Sequence, residues 1–244
     1  MNRARDEAEC VPAEEWPNRR IIYLAIIVVL IAFLIFHLPE AIKTVADFAR
    51  QVGAIKYFDA GDVQANGFQI VEDDVPTDTI TETGASYMGF AVSALLAAAA
   101  ADRPRYGMAF TGDGSFMMNP QVLIDAIAHG VQGMIVLFDN RRMAAITNLQ
   151  LSQYGEDYRT SDGVAVDYLQ FATAIDGVRG FWGGTTRQEL TAAIAQAHAH
   201  KGLSLVHVPV YHGDDEAGGM GAYGRWNVGN WCADVQQDYA ATLI

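Results

Sequence analysis

The strongest constraint on the fold of this 244-residue chain is a set of short, nearly unbroken apolar runs, each meeting a polar loop. Tyr106 to Phe110 ends in Thr111-Gly112-Asp113-Gly114, Met134 to Phe138 ends in Asp139-Asn140, and Ser204 to Val210 closes the series. A strand with one wet face alternates apolar and polar residues, whereas a strand apolar on both faces must be covered on both. Helical patterns supply the cover. Glu40 to Val52 places Ile42, Val45, Ala46, Phe48 and Ala49 on one face, and further helices are expected at Gly89 to Ala101, Asn119 to His129, Asp167 to Ala174 and Arg187 to Ala199. Ala54 to Phe58 reads as another strand, ending at Asp59-Ala60-Gly61-Asp62. The order predicts an α/β fold, a parallel sheet with helices on both faces.

Composition agrees with such a core and narrows the partners. With 51% hydrophobic and 18% charged residues, a sizeable interior can be filled. The net charge of −13 leaves no excess of Lys and Arg to displace counterions from a phosphate backbone, so no nucleic acid partner is expected. Cys10 and Cys232 are far apart and in no metal-like spacing. The six histidines form no ligand pair beside a carboxylate motif, and His198 and His200 are expected to face solvent from an Ala-rich helix.

The N-terminus differs in kind. Residues 1–20 are polar, and Ile21 to Phe36 then carries no charge, Gly or Pro. Extended through His37 and Leu38, this stretch reaches the lower end of the roughly 17–25 residues that cross a bilayer as a helix. A signal peptide is the competing reading, but no small-x-small cleavage site follows. A retained transmembrane helix over 21–38 is therefore expected, ahead of a main domain over 39–212. Arg3, Arg5, Arg19 and Arg20 precede the stretch and Lys43, Arg50 and Lys56 follow it, a slight bias toward a cytoplasmic N-terminus. Residues 213–244, rich in Gly and aromatics, read as an ordered cover in which Arg225 and Trp226 are candidate contacts to a substrate or partner.

In a doubly covered parallel sheet, ligands bind at the carboxyl ends of the strands. Three polar loops fall there: Asp59 to Gln64, Gly112 to Ser115 and Asp139 to Arg142. Gly112 and Gly114 let the backbone turn tightly and bring N–H groups close to a phosphate. A helix starting soon after Ser115 adds a dipole that favours an anion. Asp113 and Asn140 offer hard oxygens suited to Mg²⁺ or Ca²⁺.

Asn140 follows Asp113 by 27 positions, each at the end of an apolar strand. This combination resembles the cofactor signature of thiamine diphosphate enzymes, with Asp139-Asn140 in place of the usual Asn pair. The resemblance implies thiamine diphosphate and Mg²⁺ as cofactors, and as metal ligands Asp113, Asn140 and the main-chain carbonyl of Arg142, where the family commonly has Gly. It also implies that Asp59, Gly61 and Asp62 form the first loop around the terminal phosphate, and that Met88 props the cofactor into its bent shape. LFDNRRMAAITNLQ and YGRWNVGNW are similar to segments of trihydroxycyclohexanedione hydrolase, while acetolactate-synthase-like and 2-oxoacid decarboxylase branches share the same domain.

The family's activating glutamate sits on a separate pyrimidine-binding domain, for which residues 1–39 have no room. Glu82 precedes the Met88 segment and is expected in a loop role. No catalytic residue is therefore expected on this chain. The expectation is a thiamine diphosphate- and Mg²⁺-binding subunit of a split lyase, transferase or hydrolase, acting on a small molecule and completed as a hetero-oligomer by a pyrimidine-domain subunit. The alternative is a non-catalytic subunit of a membrane complex that keeps the fold. Cofactor supply favours a cytoplasmic main domain, against the charge bias.

Overall fold

A computed structural model describes residues 37–161 and 164–210. In chain order the elements are α1 (Leu38–Val52), β1 (Ile55–Phe58), α2 (Asp62–Ile70), β2 (Thr79–Thr81), α3 (Phe90–Ala100), β3 (Gly107–Gly112), α4 (Asp113–Phe116), α5 (Val122–Ala128), β4 (Gly133–Asp139), α6 (Ala144–Tyr154), α7 (Tyr168–Thr173), β5 (Arg179–Trp182), α8 (Arg187–Ala199) and β6 (Leu203–Pro209). The strands form one six-stranded sheet in the order β2-β1-β3-β4-β6-β5, and every pairing is parallel.

Two-residue periodicity explains why the strands look apolar throughout. Met108, Phe110, Met134, Val136, Phe138, Val206 and Val208 join one buried cluster with Ile42 and Val45 of α1 and Leu190 and Ile194 of α8. The intervening Ala109, Ile135, Leu137 and Leu205 join another with Val92 and Leu95 of α3, Leu123 of α5 and Tyr168 of α7. Strands β3, β4 and β6 thus each supply two cores at once.

Several expectations are corrected. Helix α1 begins at Leu38, which is buried in the first cluster, and His37 before it is extended (φ −73°, ψ 136°). A membrane helix ending at Leu38 is therefore ruled out at its last two positions. Ile21 to Phe36 lies outside the described residues, as do Cys10, Cys232, Arg225, Trp226 and the rest of the expected C-terminal cover. Among the described residues no helix is long and apolar enough to cross a membrane. His198 does not face solvent: its ring lies edge-on to Tyr106 at 4.6 Å and to Phe48 at 5.7 Å. His200 is half-buried, its Nε2 lying 3.4 Å from the Gly177 carbonyl.

Helices α2, α4 and α6 and strands β2 and β5 have no counterpart in the sequence reading, which placed loops over Asp59 to Gln64 and Gly112 to Ser115. Strand β2 has three residues and follows an acidic stretch. Charge pairing docks that stretch: Arg50 meets Glu72 and Asp74, the fully buried Lys56 meets Asp73 at 2.7 Å, and Arg105 meets Asp78 at 2.8 Å.

Candidate functional site

The sheet order reverses between β1 and β3: the chain runs outward from β1 to β2, then returns to place β3 on the other side of β1. Loops leaving these two strands diverge, and the gap between them is the expected ligand crevice of an open parallel sheet. A cavity of about 250 Å³ lies there. It is lined by Gly61 and Asp62 after β1, Gly112, Asp113, Gly114 and Ser115 after β3, Asn140 and Arg142 after β4, and Met88. Eight residues singled out from the sequence on three loops, and Met88 from a fourth segment, are thereby brought to one place. The far wall, Ala144, Ala145, Ile146 and Leu149, comes from α6, which the sequence reading did not contain.

Asp59 stands behind that wall rather than in it. It is completely buried, with Oδ1 accepting from the N–H groups of Gly89 (2.8 Å) and Ala60 (3.1 Å) and Oδ2 from the Thr111 hydroxyl (2.8 Å). Burial raises its carboxyl pKa, and the Thr111 and backbone donors oppose the rise. Its oxygens are thus committed to holding β1, β3 and the Met88-Gly89 turn together. Gly89 has φ +92°, a conformation that favours Gly, and a Cβ there would also crowd Met118 Cβ at 3.2 Å. Glu82 fixes the same segment from the other end: its carboxylate accepts from the N–H groups of Gly84 (2.6 Å) and Ala85 (3.0 Å). Those bonds, Ala85 foremost, lower its pKa.

The glycine turn closes β3. Asp113 is buried at the start of the one-turn helix α4, and a Cβ on Gly114 would come within 3.3 Å of the Met88 methyl. Gly114 and Met88 thus pack closely, and a Cβ at 114 would require the Met88 methyl to shift by a few tenths of an ångström. Asp62, in the first turn of α2, has its carboxyl pushed up to about 6 by burial, with the Arg142 charge pulling the other way.

The third loop is organised by Asp139. Its Oδ1 accepts from the Arg141 N–H at 3.1 Å, while Asn140 Oδ1 accepts from the Arg142 N–H at 3.2 Å. Its Oδ2 lies 2.8 Å from His207 Nε2 on β6. His207 was absent from the sequence reading; its position in an apolar strand, 68 residues from Asp139, offered no motif to find it by.

These groups suit a diphosphate held through a hard cation. One carboxylate, one amide oxygen and a nearby carbonyl are oxygen donors of the kind Mg²⁺ takes, and among the described residues no three His, Cys, Asp or Glu side chains gather into an all-protein cage. A cation here would complete its shell with phosphate oxygens and water, and the side-chain-free Gly112 and Gly114 leave the backbone open to those oxygens.

Comparison with known proteins agrees with this geometry. The family model "Thiamine pyrophosphate enzyme, C-terminal TPP binding domain" matches residues 59–208. The 3D-(3,5/4)-trihydroxycyclohexane-1,2-dione hydrolase of Lacticaseibacillus casei is 33% identical over 156 residues, covering 62% of this chain and 23% of that protein. The protein of that name from Listeria monocytogenes serotype 4b is 28% identical over 201 residues, covering 80% of this chain and 31% of that protein. The chain thus spans less than a third of the length of such relatives. The crystal structure of benzoylformate decarboxylase from Polynucleobacter necessarius shares the fold, with a TM-score of 0.64 at 16% identity over 72% of this chain and 33% of that one.

Proposed function

Because the chain belongs to the thiamine pyrophosphate enzyme family, through that family's C-terminal cofactor-binding domain, we propose that it supplies the diphosphate and Mg²⁺ site of an enzyme that cleaves or forms carbon–carbon bonds of 2-oxo acids or cyclic diketones. The observation that carries this reading is the convergence of Asp113 and Asn140, from the ends of the adjacent strands β3 and β4, on one cavity with Gly112 and Gly114. In this reading Asp113, Asn140 and the Arg142 carbonyl hold the cation. The turn at Gly112 to Ser115 receives the diphosphate, Gly61 and Asp62 border its far end, and Met88 bears on the cofactor's middle. Bound thiamine diphosphate supplies an electron sink for chemistry next to a carbonyl.

A second, pyrimidine-binding domain with its glutamate completes the site, and we place it on a separate subunit. Two observations support a shared site. The described residues enclose about 250 Å³, less than the roughly 300–1,000 Å³ of a whole small-molecule pocket. The relatives that carry this domain are three to four times longer than the stretch they share with it. The likeness to the trihydroxycyclohexanedione hydrolases favours a cyclic diketone over a linear 2-oxo acid.

The full chain, purified with whatever subunit accompanies it from its own cells, is expected to carry thiamine diphosphate and Mg²⁺ in equal amounts, together with a second chain. Replacing Asp113 with Ala should lower cofactor occupancy at least about tenfold, since even outer-sphere partners of a metal are worth that much. A complex that binds neither thiamine diphosphate nor Mg²⁺ would sink the enzyme reading in favour of a non-catalytic subunit.

A further inference from the structure

We propose that His207 is a positioning residue for the cation-binding loop: acting through Asp139, it holds Asn140 to Arg142 in the shape that brings both residues to the cavity wall. The inference rests on the cofactor reading above and adds a residue that lies outside the loop and outside its sequence motif.

The loop needs holding because its backbone takes an uncommon course. Arg141 has φ +55°, in the left-handed region that side chains other than Gly, Asn and Asp rarely enter. That turn separates Asn140 from Arg142, and it decides where the Asn140 amide and the Arg142 carbonyl end up. Asp139 Oδ1 accepts from the Arg141 N–H at 3.1 Å, so the carboxylate is tied directly to the left-handed residue. A carboxylate orients such a turn only if it cannot rotate. Two contacts fix Asp139: its carbonyl accepts from the Val210 N–H at 3.0 Å, and Oδ2 sits 2.8 Å from His207 Nε2. With the ring N–H at Nε2, the imidazole donates and the Asp139 oxygen accepts.

His207 is well placed for this task. Its own register partner is Leu137, and Pro209, two residues on along the same face of β6, pairs with Asp139, so its ring reaches diagonally toward the strand end. Tyr168 of α7 stands edge-on to that ring at 5.4 Å and Trp182 of β5 at 5.2 Å. The imidazole and the carboxylate are 12% and 11% exposed, which shields their bond from competing water. Orientation therefore passes from packing on β5 and α7, through the ring, to Asp139 and on to the loop. Second-sphere partners of this kind set the direction of ligand oxygens and thereby metal affinity.

The test uses the full chain with its co-purifying subunit and reads the Mg²⁺ concentration needed for half-maximal thiamine diphosphate binding by calorimetric titration, beside the melting temperature. His207→Leu keeps bulk between the two rings and removes the donor; that Mg²⁺ concentration should rise about 10- to 100-fold. His207→Gln returns a donor at similar reach and should recover most of the loss. Adding Arg141→Gly to His207→Leu should also recover it, because glycine takes the left-handed turn without being held there. If His207→Leu fails to fold, His207→Asn, whose shorter amide falls short of Oδ2, gives the same reading. A lowered melting temperature with unchanged Mg²⁺ dependence in the donor-less variants overturns this inference and leaves the cofactor reading standing. A parent complex that binds no thiamine diphosphate at any Mg²⁺ concentration overturns both.

Discussion

Asp62 shows what a single residue gains from the cavity around it. Burial raises its carboxyl pKa to about 6 from an ordinary 3.8, the Arg142 charge opposing the rise. A carboxyl whose pKa is higher in the folded than in the unfolded chain favours folding below the unfolded value and loses that contribution as pH rises through the folded one. Stability should therefore fall between about pH 4 and pH 6, by about 2 kcal/mol at 1.36 kcal/mol per unit after allowance for partial solvent access. Asp62→Asn, which fixes the neutral form, should match the parent at pH 4 and exceed it by about that amount at pH 7.5 in urea unfolding. Equal stability of the two chains at pH 7.5 would refute the assignment. At this scale the sequence was informative where chemistry is local. Asp113 and Asn140 announce themselves by residue type at the end of an apolar run, whereas His207 reads as an interruption in a strand until β4 and β6 are paired. Asp59 was legible as a loop carboxylate but not as a buried strut, because its partners Gly89 and Thr111 are 30 and 52 residues away.

Among the elements, α8 is the one whose bounds the sequence reading placed at Arg187 and Ala199, where the structure has them. The reason is a complete capping box: the Thr186 hydroxyl accepts from the Glu189 N–H at 3.3 Å, and the Glu189 carboxylate accepts from the Thr186 N–H at 3.0 Å. Removing a capping hydroxyl costs about 1 kcal/mol, so Thr186→Ala should lower the unfolding free energy by about that much while leaving the denaturant slope unchanged. A change below a few tenths of a kcal/mol would show that packing of Leu190 and Ile194 alone holds the helix. Helix α6 had no such signature. No side chain caps it, its apolar residues follow no single face, and loop bonds secure its start, with the Met143 N–H donating to the Thr160 carbonyl at 2.7 Å. Strand β2 escaped notice for a related reason: three residues beside an acidic stretch become a strand only because Lys56, Arg50 and Arg105 dock that stretch against β1.

For the whole molecule, the reversal of strand order between β1 and β3 decides where a ligand can enter. The same chain carries Ile21 to Phe36, sixteen residues without charge, ahead of a domain whose first helix starts at Leu38. We propose that this stretch, one residue short of the roughly 17 that cross a bilayer upright, anchors the protein in a membrane, with the main domain on the cytoplasmic side where its cofactor is made. Fractionated cells should retain the protein in membranes washed with alkaline carbonate, with the main domain open to protease in inside-out vesicles and shielded in right-side-out ones. Release by carbonate would overturn the anchor, and the opposite protease pattern would overturn the orientation.

By itself the sequence determined the α/β class, because strands apolar on both faces leave no arrangement other than a sheet covered twice. It also pointed to the candidate cation ligands Asp113 and Asn140, because each is a hard oxygen donor at the end of an apolar strand, Asp113 between two glycines. Only the tertiary structure decided which loops share a cavity, that Asp59 braces it from behind, and that His207 reaches the loop after β4. Those outcomes depend on strand order and on register between strands distant in the chain, and local patterning carries neither.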